Sequence, residues 1–158
     1  MGFFKRFPRA VRCAVTAGRE PATISAPPRI AELTPVRPRA DAALVRAWRA
    51  RRDGEVRAAV GVLHYRAGRD YVVEYAPSEF GVVREDIFHR LYRPAGVDRY
   101  EKRTDVVLHY FTLPHAVRVR TLEGIQDAAA GDWIMQGPAG ELWPVKPEKA
   151  LRKYEAVA

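Results

Sequence analysis

Turn residues recur along Thr121–Tyr154 at a spacing too tight for ordinary helices, and this limits what the chain can become. Glu123-Gly124, Gly131-Asp132 and Pro138-Ala139-Gly140 cut the run into pieces long enough for strands. After Pro147 the pattern shifts to a short helical one. The stretch therefore predicts strand, turn, strand, turn, strand, turn, strand, helix.

A weaker copy of its latter half stands upstream. Asp70–Tyr92 set under Asp132–Tyr154, ungapped at an offset of 62, gives five identities: Asp70/Asp132, Glu79/Glu141, Val83/Val145, Arg90/Arg152 and Tyr92/Tyr154. Average composition yields roughly one or two by chance. Tyr71, Val73 and Tyr75 share a strand face by period-two alternation, as do Trp133 and Met135. A hairpin with one short helix cannot bury its own apolar face, whereas two such units sharing a sheet could. The expected fold is α+β: two tandem strand-strand-helix units, at about 70–92 and 132–154, packed as one pseudo-symmetric domain over 55–158.

What precedes that domain is basic. Residues 1–55 hold 12 Lys/Arg against 5 Asp/Glu, and 56–158 hold 15 against 14, out of a net charge of +8. Such asymmetry points to an anionic partner, nucleic acid among them, or to a solvated Arg-rich leader. No acid occurs before Glu20, and Phe3, Phe4 and Phe7 alternate with Lys5, Arg6 and Arg9. No apolar h-region follows those charges, so a secretory signal is not expected, although an Arg-rich transit segment shares this composition. Pro21, Pro27, Pro28, Pro35 and Pro38 disfavour both helix and central strand, which makes 1–39 a largely disordered leader and linker. Asp41 then stands at an N-cap position before Leu44, Ala47 and Trp48, spaced i, i+3, i+4, and Gly54 closes the segment. Residues 40–54 are thus expected to form a basic amphipathic helix. Its Arg46, Arg49, Arg51 and Arg52 would meet a phosphate backbone, with Trp48 stacking on a base. Alternatively, Trp48 docks the helix on the sheet and the arginines are solvated.

Further along, Gly131-Asp-Trp-Ile-Met-Gln-Gly137, Gly140-Glu-Leu-Trp-Pro-Val-Lys-Pro147 and Tyr154-Glu155 resemble the signature of PGDYG-type proteins and of small phage and prophage proteins. Thr121-Leu-Glu-Gly124 and Tyr100-Glu-Lys-Arg-Thr104 match the upstream parts, so the resemblance covers about 100–156. Ala130, Val145 and Ala150 depart from the Pro, Cys and Phe usual at those places. The resemblance implies a bacterial or phage accessory protein and brings no catalytic residues with it.

Chemistry-bearing constellations are sparse. His64, His89, His109 and His115 fall in no metal-site spacing, so no metal is expected. Neither a Walker loop, nor a dinucleotide fingerprint, nor G-x-S-x-G occurs, so no cofactor is expected. Cys13 is alone, which fits a reducing, cytoplasmic compartment, and no apolar run is long enough to span a membrane. Glu79 and Glu141 occupy equivalent places after a hairpin turn and could form an acid/base pair between the halves. They could equally cap their turns or pair with Arg84 and Lys146. Asp70 and Asp132 are expected to set turns by accepting from backbone two residues on. Val117 and Val119 alternate with Arg118 and Arg120, giving a basic outer face that suits an anionic partner or a protected edge strand. Of the aromatics, Trp48 and Trp143 are the surface candidates, Trp143 pointing away from Leu142 and Pro144. The leading reading is a non-enzymatic binding protein. An enzyme with a carboxylate pair and a structural or homo-oligomerising subunit are the alternatives.

Overall fold

The computed structural model describes residues 18–40 and 43–157, so the Phe/Arg leader, Cys13 and Asp41 lie outside the described residues. The described residues begin with β1 (Thr23–Ile24), β2 (Thr34–Pro38) and β3 (Val45–Arg49). Two hairpins follow, β4 (Gly54–Ala58) with β5 (Gly61–Tyr65), and β6 (Asp70–Ala76) with β7 (Glu79–Arg84). Helix α1 (Glu85–Leu91) leads into β8 (Tyr92–Pro94) and β9 (Arg99–Lys102). After β10 (Leu108–Phe111) come the hairpins β11 (Val117–Thr121) with β12 (Gly124–Ala128), and β13 (Trp133–Gln136) with β14 (Leu142–Val145). Helix α2 (Pro147–Lys153) and β15 (Tyr154–Ala156) end the described chain.

This is a β-rich fold, and the expected α+β class of two strand-strand-helix units is overturned. Each helix has only seven residues. The segments at 70–92 and 132–154 share no sheet. One contributes to a five-stranded sheet of order β7-β6-β3-β9-β8, the other to a second of order β14-β13-β10-β2-β15. All neighbours in both sheets are antiparallel. The two hairpins alone do not make the sheets. A two-stranded ribbon is marginal by itself, and here each is completed by three more strands drawn from elsewhere in the chain.

The expected basic helix over 40–54 is also absent. Val45–Arg49 is a strand whose burial alternates, Val45 and Ala47 inward and Arg46 and Trp48 outward. A short isolated helix gains little, while β3 hydrogen-bonds to β6 on one side and β9 on the other. Gly54 opens β4 and does not close a helix. A Cβ there would overlap the Tyr65 phenol.

The proline-rich linker contains strands as well. β2 lies inside the second sheet, between β10 and β15. Its ladder to β10 uses Thr34, Pro35 and Val36, and its ladder to β15 uses Val36, Arg37 and Pro38. The two ladders overlap only at Val36, so each proline sits where just one side is paired. A missing N–H is tolerated there as on an edge.

Three packed layers position the surfaces. Val45, Ala47, Tyr71 and Val73 of the first sheet pack on Phe88 and Tyr92. Phe88 stacks on Tyr71 with centroids 4.2 Å apart. Val36, Leu108 and Met135 of the second sheet pack with Trp133, Trp143 and Tyr154, and Leu91 of α1 touches this cluster and the previous one. Helix α1 thus lies between the two sheets. The opposite face of the second sheet, with Phe111, Ile134 and Leu142, is covered by a small sheet of order β1-β11-β12 through Val117 and Val119.

Candidate anion-binding face

Antiparallel pairing brings the functional candidates of the first sheet together. Partners in a ladder point to the same side, so the outward Arg46 of β3 shares its face with Glu74 of β6 and Arg99 of β9. Arg46 bonds Glu74 at 3.2 Å. Arg99 is exposed and has no ion pair among the described residues. Like charges set directly opposite in a ladder are unfavourable; Glu74 offsets one of these two, and an anion bound at Arg99 would offset the other. Trp48, two residues on from Arg46, is 38% exposed and meets Phe80 edge-on at 6.5 Å. Beside it the β8–β9 turn bonds into β3 through Ala47 N–H to the Asp98 carbonyl, and the turn's Val97 is 90% exposed.

Beyond the end of β3 two loops are locked together. Ala50 N–H donates to the Asp70 carbonyl at 2.8 Å, and Gly68 N–H to the Ala50 carbonyl at 2.9 Å. Ala67 N–H donates to Asp53 Oδ1 at 2.8 Å. Arg49 ties the corner with bonds to the Gly68 carbonyl and to Glu85. The exposed basic side chains this scaffold carries are Arg51, Arg52, Arg66 and Arg69, with Asp53 the exposed acid among them. Only Arg69 has an acid within reach, Asp70 at 4.0 Å.

The six arginines named from the sequence therefore divide. Arg46 is on this face and paired, Arg49 is turned to the helix side and paired with Glu85, and Arg51 and Arg52 have no ion pair among the described residues. Arg118 and Arg120 lie on β11, in the small sheet behind the second one. β11 is not an edge strand but runs between β1 and β12. Arg118 faces Asp127 across the ladder and bonds Glu20 at 3.1 Å. A shallow groove of about 560 Å³ there sets Arg118 and Lys146 against Glu20 and Asp127, so its charge is balanced. Arg66, Arg69 and Arg99 were missed. The closeness of Arg66 and Arg69 to Arg51 depends on the pairing of β3 with β6 and on the Gly68 N–H bond to the Ala50 carbonyl.

Of the two carboxylates, Glu141 caps its own turn, which was one of the alternatives, and Glu79 does not. Glu141 turns back on its own loop and accepts from Ala139 N–H at 2.9 Å, while Glu79 is exposed at the start of β7. Neither pairs with the base suggested for it, since Arg84 bonds Asp86 and Lys146 bonds Asp132, both at 2.8 Å. The bond to Arg84 holds the Asp86 carboxyl below its ordinary range. Asp70 and Asp132 are buried and do set turns, but they bond upstream: Asp70 accepts from Arg66 N–H, and Asp132 from Ala129 N–H. Trp143 is half-buried on the helix-bearing face of the second sheet with Trp133, which stacks on Tyr110 at 3.6 Å. Trp48 is left as the surface aromatic of the two suggested.

Among the described residues no three His, Cys, Asp or Glu side chains gather as a metal site requires, and no helix is long and apolar enough to cross a membrane. Compared with protein-family profiles, curated proteins and solved structures, the chain finds no match.

Proposed function

We propose that this protein is a non-enzymatic binding protein that engages an anionic partner, nucleic acid foremost, through the arginines of its first sheet. The observation that carries the reading is the direct opposition of Arg46 and the exposed Arg99 across the β3–β9 ladder, with the exposed Arg51 and Arg52 just beyond the end of β3. Arginine forks suit phosphate and carboxylate oxygens, and the locked loops hold them with little ordering left to do. The resemblance of residues 100–156 to PGDYG-type and phage proteins supports an accessory role in a bacterial or phage setting. Glu141, occupied by its own turn, lends no support to a carboxylate-pair enzyme.

Titrating labelled nucleic acid into the protein at several salt concentrations tests this. Reversing two phosphate contacts with Arg51→Glu and Arg52→Glu should weaken binding more than about tenfold and flatten the log–log salt dependence by roughly two. Unchanged affinity and slope in the double variant would overturn the reading.

A further inference from the structure

We infer that the partner of this face is a single-stranded nucleic acid whose base stacks on Trp48 while its phosphate bridges Arg46 and Arg99. This rests on the proposed function and goes further by naming the strand state and the stacking residue. The chemistry of the face selects the ligand. Trp48 offers 38% of its surface on the face that carries Arg46, while its ladder partner Val72 is fully buried, so the indole is the exposed end of an apolar row beside the arginines. Phe80 meets Trp48 edge-on at 6.5 Å and supports its ring from one side. Arg46 is held to Glu74 at 3.2 Å, and Arg99 stands directly opposite it in the ladder. A polyanion without rings would satisfy the arginines and leave the indole wet. A duplex hides its base faces in the stack and presents sugar and phosphate to Trp48. Only an unpaired strand offers a charge to the arginines and a π-face to the indole at one nucleotide's spacing.

The test uses the full chain, fluorescein-labelled oligothymidylate, a duplex of the same length, and polyglutamate as competitor, all at near-physiological salt. The expected result is single-strand binding at least tenfold tighter than duplex binding, and poor competition by polyglutamate. Trp48→Ala should cost about 5- to 100-fold on the single strand, the range of one lost base stack. Trp48→Phe, which keeps a ring and protects the fold, should recover most of it. Tryptophan fluorescence should be quenched by the oligonucleotide in the wild type and much less in Trp48→Phe, where only Trp133 and Trp143 report. Duplex binding as tight as single-strand binding, equal competition by polyglutamate, or a folded Trp48→Ala protein with unchanged affinity would each overturn the inference. If Arg51→Glu/Arg52→Glu still abolished binding in those cases, the coarser reading would survive. If no polyanion bound at all, both would fall.

Discussion

Gly137 shows how one missing side chain decides what its neighbour can do. A Cβ at this position would overlap the Glu141 carboxylate, which instead folds back to cap its turn on Ala139 N–H. At the 62-residue offset Gly137 corresponds to Tyr75, and Trp143 to Gly81. Aromatic and glycine have changed places between the hairpins. In the first, a Cβ on Gly81 would lie 2.7 Å from the Tyr75 ring. Glu79 and Glu141 are therefore identical letters in different surroundings, and only Glu141 finds a backbone donor to hold. Gly137→Ala should displace the carboxylate and cost about 1–2 kcal/mol, read as a lowered urea midpoint. Adding Glu141→Ala to that variant should cost little more, since the bond is already broken. Fully additive losses would mean that Glu141 stabilises the protein by another route.

Elements in this chain follow partners more than local pattern. Val-Arg-Ala-Trp-Arg at 45–49 fits a helical stripe and a strand alternation equally, because five residues cannot separate the two periods. Its neighbours decide, β6 and β9 supplying a ladder on each side. Turn positions were legible. Gly124, Gly131 and Gly140 all adopt positive φ (119°, 82° and 82°), which a side chain would resist. Sheet membership was not legible, for it is set by pairings across long sequence separations. β2 is the clearest case, a proline-flanked segment that reads as linker yet joins β10 to β15. The same limit applied to the candidate face: Arg51 and Arg52 stood out by composition, whereas Arg66 and Arg99 needed the ladders. Arg37 and Arg39 fasten β2 to Glu155, and Arg39 N–H donates to the Lys153 carbonyl. Every one of these contacts is with the far end of the chain, while all five strands of the first sheet come from residues 45–102. Deleting residues 18–39 should accordingly strip hydrogen-exchange protection from β10 and β15 and spare β3 and β6. Loss of protection in β3 first would contradict this division.

At the scale of the molecule the two sheets meet across α1 and a seam of phenols. Tyr92 and Tyr154, each the first residue after a helix, come together with Tyr75. Although 44% of Tyr75 remains open to solvent, its hydroxyl end is turned into the seam, where Tyr92 bonds it. Burial above all, with the charge of Glu123 adding to it, pushes the Tyr75 hydroxyl up to about 12. Burial raises Tyr92 and Tyr154 as well, Trp143 bonding the latter and partly offsetting the effect. Each folded value lies above the roughly 10 of an unfolded tyrosine. Such groups contribute stability that is complete below about pH 10 and is lost as pH rises through the folded values, because the unfolded chain sheds those protons first. Stability should hold up to about pH 10 and fall between about pH 10 and 12, with the three seam phenols ionising together with unfolding and not ahead of it. Tyr92→Phe removes one hydroxyl that must stay neutral, so its urea midpoint should drop less across that window than the wild type's. Equal drops in both proteins would show that the seam is wet, and that α1 and the helix-side cores alone hold the sheets together.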